Sequence, residues 1–540
     1  MKKIVTILCL WMLPLMLLAV PARRDGFLRT ATDGTEKMVW LHGNEHFHYM
    51  TDAEGNWLDE TTLAPMSLER KNALVQAAQK QDHIRRAAQQ TNGIGDKPNI
   101  APRGLVVLVN FTDVTFTTPR DTIDSLLNAR YFPRTYSYDY HYKDDAGTEK
   151  TYHADVVSEG SARKYFYDQS YGQYNPQFDL IGPLTIDHNM AYYGTNNSQG
   201  SDKNAVAMII EACQKADNAG VDFSQYDNNN DGYVDFVYVI YAGFGESDGG
   251  PAESVWPHQW DISARQISHD SKKLGRYACG SELSFWSKLY AGIGTFCHEF
   301  SHVLGLPDLY ETVSQNVHPH TLYEWDIMDY GPYNNDGNTP PAYSAYERFY
   351  LGWLTPRLLQ NPENVTLNPI NEGNGSSLMI STANTHNMSG WNPSPTEYYL
   401  LEARNKEGWD TYLPGEGMLI TKVTFSSTTW HANTVNNNYR SMGIDIMEAA
   451  SNTTRGGKAT DAYPAGATQW TGYQDHEVTE ITRDANTGVI SFKYRGGGST
   501  TAIENKQDDH ARCTKVIRDG QLLILRDGKT YDLQGRLFAP

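Results

Sequence analysis

Two uninterrupted apolar runs, GLVVLVNF from Gly104 to Phe111 and VDFVYVIYAGF from Val234 to Phe244, predict strands covered on both faces, because a half-exposed strand alternates instead. The stretch from Ala205 to Ala216 reads as a helix between them. After Tyr290 the period changes. Ile293, Phe296, Cys297, Phe300, Val303 and Leu304 recur at helical spacing and define one apolar face. Beyond Pro356 the pattern is short strands broken by Gly, Asn and Pro, among them VTLNPI, SLMIS, TEYYLLEAR, GMLITKV and GVISFKY, which predicts a β-sandwich-like region. Upstream, DGTEKMVWLHGNEHFHYMTDAEGNW contains strand-like pieces, and Ser67 caps a predicted helix that Gly93, Gly95 and Pro98 end. The whole reads as an α+β chain of several domains.

The N-terminus changes this picture. Lys2 and Lys3 precede an apolar run from Ile4 to Val20, and small residues ending at Ala22 offer a cleavage site, so residues 1–22 read as an export signal. A retained anchor is the other reading, which Pro14 disfavours by interrupting the run. No later segment is apolar and long enough to span a bilayer, so the mature chain is expected to carry no integral membrane segment. The length of 540 residues and 39% hydrophobic content support a large core, and the 12% of aromatics points to β structure. A formal charge of −19 without a basic stripe argues against nucleic-acid binding. Cys213, Cys279, Cys297 and Cys513 are too few for a disulfide scaffold; a Cys279–Cys297 bridge and free buried thiols both remain open.

Chemistry concentrates in HEFSHVLGLPD, His298 to Asp308. His298 and His302 are four residues apart on one helical face, so both imidazoles reach one metal ion, while Glu299 is placed to act as general base on a zinc-bound water. Gly305 permits the positive φ that ends a helix, and Pro307 prevents its resumption. Asp308 is then expected back at the metal as third ligand of one catalytic zinc, with an open position for water. Glu324 competes for that role, at a spacing similar to thermolysin-like enzymes. Cys297, directly before His298, is a further candidate ligand, although its place on the apolar face favours a buried hydrophobe.

Downstream, EWDIMDYG carries Met328 and Tyr330 and resembles the Met-turn of metzincins, in which a tyrosine at this position can stabilise the reaction intermediate. Core packing of Trp325, Ile327 and Met328 is the plain alternative. Taken together, the chain resembles the immune inhibitor A-like family of secreted metalloproteases, whose extended zinc motif ends in Asp. The likeness extends to GSARKYFYDQSYGQY near Ser161, the acidic loop at Asp227, VWPHQW near Trp256 and AYERFYLGWL before Pro356, covering most of residues 100–425. It implies a zincin or metzincin-like catalytic domain. In the loop DNNNDGYVD, Asp227, Asn229, Asp231 and Asp235 surround Gly232 as in oxygen-ligand calcium loops, but Tyr238 stands where an EF-hand has glutamate. An ion-free Asx turn is the alternative, and the resemblance favours structural calcium.

The expected layout is a signal peptide at 1–22, a propeptide at 23–98, a catalytic domain at 99–356, a β-rich domain at 357–495, and a Gly-rich linker with a sorting-like tail at 496–540. The propeptide lacks cysteine, so it cannot block zinc with a thiol; His46, His48 or an acidic side chain is the candidate blocker, and Arg85-Arg86 or the linker to Arg103 the activation site. The tail resembles the end of the C-terminal sorting domains of Gram-negative type IX secretion, which would make the secretion machinery a partner. The reading is a secreted or outer-surface bacterial zinc endopeptidase, made as a zymogen, that cleaves proteins or peptides. The rival is an inactive surface adhesin or glycan-binding protein that keeps the fold.

Overall fold

The computed structural model describes residues 17–18, 20–44, 47–89, 103–143, 148–197, 201–312, 321–371, 375–450, 456–498, 514–518, 521–526 and 529–531. Its centre is a six-stranded mixed sheet in the order Leu17–Leu18, His258–Asp261, Arg276–Leu283, Val237–Phe244, Arg103–Asn110, Gln177–Thr185. The last four strands are parallel, and His258–Asp261 runs antiparallel to Arg276–Leu283. Both predicted apolar runs are strands of this sheet, and the period of two explains why neither alternates. Val106, Leu108, Tyr238 and Ile240 enter one core, whereas Leu105, Val107, Val109, Val237 and Val239 enter the other. The helix Ala205–Asn218 covers the second face with Met208, Ile209 and Ala212. The helix Gly294–Val303 covers the first, and Ile293, Phe296, Cys297, Phe300, Val303 and Leu304 all lie in its core.

Residues 27–58 form a four-stranded antiparallel sheet, Phe27–Thr30, Glu36–Asn44, Phe47–Thr51 and Trp57–Leu58, followed by the helix Leu68–Gln89. This lobe shares an apolar cluster with Tyr140, Trp256 and Trp286 of the central region. His48 ties the two together: its Nε2 is 3.2 Å from Glu246 Oε1 and its ring stacks on Trp256 at 4.7 Å. Burial alone would lower its pKa, but the Glu246 carboxylate outweighs this and raises it to about 9. His48 is therefore spent on the interface between lobes, and it does not cap the 298–308 site. His46, the other expected blocker, lies outside the described residues, as does the linker before Arg103. The pair Arg85-Arg86 falls within the lobe's helix, Leu68–Gln89.

Beyond Pro356, a five-stranded sheet containing Glu397–Arg404 and Gly417–Thr424 and a three-stranded sheet containing Glu363–Leu367 share one apolar core. Arg404 is buried there, 2.9 Å from Glu402 and 2.6 Å from Asp410. It donates to the Ala342 carbonyl, and Asp410 accepts from the Ala342 N–H, so this ion-pair cluster joins the β-rich region to the chain that follows Tyr330. Its role is structural. Near the end of the chain, Thr514–Arg518, Gln521–Arg526 and Lys529–Tyr531 form a three-stranded antiparallel sheet. Residues 519–520 and 527–528 lie outside the described residues. No helix among the described residues is long and apolar enough to cross a membrane.

Candidate active site

The helix Gly294–Val303 presents His298 and His302 on one side, and both are fully buried. Each ring is oriented by a backbone carbonyl: His298 Nδ1 lies 2.7 Å from Ile327 O and His302 Nδ1 lies 2.8 Å from Leu306 O. A carbonyl accepts only, so both Nδ1 atoms carry the proton and both Nε2 atoms are bare acceptors. These two Nε2 atoms face one another at 3.1 Å. Asp308 Oδ1 completes the set, 3.3 Å from His298 Nε2 and 3.2 Å from His302 Nε2, with no hydrogen-bond donor. Three buried acceptors aimed at one point repel each other unless a cation sits between them. The donor set, two imidazoles and a carboxylate, fits zinc. Burial lowers the pKa of His298, which favours the neutral, ligating form. Burial would raise the Asp308 carboxyl, but positive charge and N–H donation from the two facing imidazoles, when they are protonated, hold it well below the usual carboxylate range.

Local sequence explains how Asp308 returns. Gly305 has φ +103°, a conformation that L side chains rarely adopt, and its N–H donates to the His302 carbonyl as the helix closes. The ligand atoms of His298, Glu299 and His302 also lie within 4.8 Å of one another, which would allow Glu299 to be the third ligand. Asp308 Oδ1 is within 3.3 Å of both Nε2 atoms, whereas Glu299 Oε1 is engaged as acceptor of the Val20 N–H at 3.0 Å. Glu324 is engaged elsewhere, 3.2 Å from the Arg24 guanidinium. Cys297 faces the apolar core, where burial pushes its thiol pKa up. Cys213, Cys279 and Cys297 are free and buried, so the Cys279–Cys297 bridge left open by the sequence is not formed.

Met328 is buried in the turn that follows Asp326: its N–H donates to Asp326 Oδ1, and its carbonyl accepts from Leu309. This turn supplies the Ile327 carbonyl that orients His298. Tyr330 stacks on Tyr323 at 5.5 Å, and Arg24 lies 4.7 Å over its ring. Burial pushes its hydroxyl pKa up, which keeps it a donor. In the acidic loop, Asp227 accepts from the N–H groups of Asp231 and Gly232 and pairs with Lys272 at 2.7 Å. Asn229 accepts from Asp231 N–H and Asp235 from Asn228 N–H. These are Asx-turn contacts, and among the described residues they do not assemble into a second metal-ligating cluster.

One contributor was not foreseen. Asn433 lies 125 residues away in the sequence; its Oδ1 accepts from Asp308 N–H at 2.8 Å, and its Nδ2 donates to Asp308 Oδ2 at 2.5 Å. Asn436 adds a bond to the Leu309 carbonyl at 2.8 Å. The only sequence signal was the Asn-rich run at 433–438, which is indistinguishable from a loop. Replacing Asn433 with Ala frees one carboxylate oxygen to rotate. Zinc affinity should fall about 10- to 100-fold, as for other groups that orient a ligand. Competition against a chromophoric chelator reads this directly, and unchanged affinity would show that Asp308 is held by its own loop alone.

A mixed sheet with an antiparallel strand, over a buried helix that offers two imidazoles, a carboxylate and a returning aspartate, is the arrangement expected of a metallopeptidase. Residues 98–354 match the immune inhibitor A peptidase M6 catalytic domain. Among curated proteins it is 25% identical over 215 residues to "Immune inhibitor A" of Bacillus thuringiensis subsp. alesti, covering 35% of this chain and 31% of that protein. It is also 25% identical over 381 residues to "Pre-pro-metalloprotease PrtV" of Vibrio cholerae serotype O1 (strain M66-2), covering 63% of this chain and 40% of that protein. The chain thus spans well under half the length of these relatives.

Proposed function

We propose that the chain is a zinc-dependent endopeptidase, made as a secreted zymogen, with His298, His302 and Asp308 as metal ligands and Glu299 as general base. The observation that carries this reading is the convergence of two buried imidazole Nε2 atoms and a buried carboxylate oxygen within 3.3 Å of one another. A zinc ion bound there supplies a Lewis acid that polarises a peptide carbonyl and brings the pKa of water toward neutrality. Glu299 takes the proton from the attacking water and returns it to the leaving amine. Support for the second half of that cycle comes from Val20, whose amide nitrogen sits 3.0 Å from Glu299 Oε1, where a departing nitrogen would be protonated. Tyr330 is assigned to the oxyanion; its hydroxyl stays protonated, and displacement of Arg24 would uncover its ring.

Latency follows from the lobe at 23–98 acting as a propeptide. The segment before it runs along the cleft: the Trp256 indole donates to the Val20 carbonyl, and the Tyr333 hydroxyl donates to the Pro21 carbonyl. Cleavage of an export signal after Ala22 would withdraw residues 17–22 and leave Arg23, Arg24 and the lobe in place. Purified protein should contain stoichiometric zinc and cut casein only after limited proteolysis removes the lobe. Absence of zinc would favour the adhesin reading, against which the retained ligand set speaks.

Calcium at 227–235 is a structural role, supported by the burial of Asp227 and Asp235 within an oxygen-rich loop. The ion would have to displace Lys272 from Asp227. Chelation should lower the melting temperature by a few degrees, and an unchanged melting curve removes calcium from the account. The two sheets beyond Pro356 are assigned to a β-sandwich appendage, and the three strands after Thr514 to a sorting tail that delivers the protein to the outer surface.

A further inference from the structure

Leu17, Leu18 and Val20 of the chain's own N-terminal segment lie beside the edge of the sheet and Glu299. Leu17 and Leu18 pair antiparallel with Trp260 and Gln259 of the edge strand, and Val20 N–H meets Glu299. Contacts through the main chain do not depend on side-chain identity, so any extended peptide could follow the same path. Its direction can be stated. The nitrogen beside the general base marks the first residue after the bond that would be cut, which makes Val20 the first residue on that side and Arg23 the fourth.

Arg23 is where sequence-independent contacts give way to a built site. Its guanidinium is 3.0 Å from Asp248 Oδ1 and 2.9 Å from Asp336 Oδ1, and it lies 4.4 Å over the ring of Trp286. Asp248 has a partner besides Arg23, its Oδ2 accepting from the Phe285 N–H at 2.8 Å, and Asp336 is buried, its side chain only 3% exposed. Asp336 Oδ2 is buried without a hydrogen-bond partner, so the box has acceptor capacity that Arg23 does not exhaust. Two carboxylates held together against an indole, away from water, are stable only with a cation between them, and the planar guanidinium matches both the carboxylates and the ring.

Arg24 is held less firmly. It turns to Tyr323, at 4.1 Å, and to Glu324, and its side chain is 27% exposed. The deeper box is the selective one.

We propose that Asp248, Asp336 and Trp286 form a substrate subsite for arginine, four residues after the bond cut, occupied in the latent chain by Arg23. The proposal rests on the peptidase reading and specifies which proteins that cleft prefers. An empty box would favour substrates whose fourth residue after the cleavage point is arginine over those with a neutral isostere there.

The test uses the chain from Arg23 onward, as cleavage after Ala22 leaves it, with Arg23→Ala, so that both the peptide path and the box are vacated, and two labelled peptides that differ only in arginine or citrulline at the fourth position after the cleavable bond. Citrulline keeps the shape and removes the charge, so both peptides report on one folded protein. With Glu299→Gln added to stop turnover, the arginine peptide should bind at least tenfold more tightly, and Asp336→Asn or Asp248→Asn should bring the ratio toward one. Equal affinities, or binding of neither peptide, would overturn the subsite. With Glu299 intact and the lobe removed, the same preference should appear in kcat/KM. Preferential binding without cleavage of either peptide would instead overturn the peptidase reading and leave the arginine box standing.

Discussion

Glu299→Gln is expected to keep zinc bound and to reduce cleavage of denatured protein by about 10²–10⁴-fold, the range associated with losing a positioned general acid–base. The substitution keeps the side-chain volume and an oxygen that can accept from an amide, as Glu299 Oε1 does from Val20. It removes the capacity to take and return a proton. The site's geometry should survive, since His298 and His302 are oriented by the Ile327 and Leu306 carbonyls and not by Glu299. Metal content measured with casein hydrolysis separates chemistry from folding. Full activity in the variant would remove Glu299 from the mechanism.

Asp308→Ala should have the larger effect on metal retention. It removes one of the three acceptors, leaving two imidazoles whose Nε2 atoms still face each other at 3.1 Å. The loss of zinc affinity should exceed the roughly 100-fold upper range for a group that only orients a ligand, and so exceed that of Asn433→Ala. Asp308→Asn is the companion variant: it keeps the shape beside Asn433 and removes the charge. Equal zinc affinity in both variants and the parent would show that another residue completes the set. Glu324 and Cys297 would be poor replacements where they stand, one paired with Arg24 and the other turned into the core.

Much of this site was legible before any tertiary information. A helix with ligands four residues apart, an apolar face opposite them and a glycine at its end is a local object, and Ile293 through Leu304 pack as their spacing predicts. Gly305 with φ +103° is the same kind of inference, because it concerns one residue's backbone. The acidic loop shows where local reading runs short. Alternating Asp and Asn suit both calcium and an Asx turn, and the arrival of Lys272 at Asp227 could not be read from the loop. His48 shows the same limit, since its partner Glu246 is supplied by a distant turn.

The sequence by itself determined the elements whose signal repeats within a few residues: the strands buried on both faces, the metal helix, and the chain reversal at Gly305. Tertiary structure alone decided what those elements meet. Asn433 holds Asp308 from 125 residues away, Val20 reaches Glu299 along the cleft, and Arg23 enters a box built from Asp248, Trp286 and Asp336. The physical reason is that backbone periodicity sets which side of a helix or strand a residue takes. Which distant side chain waits on that side is set by how the layers pack and where the loops close, and no local pattern encodes it.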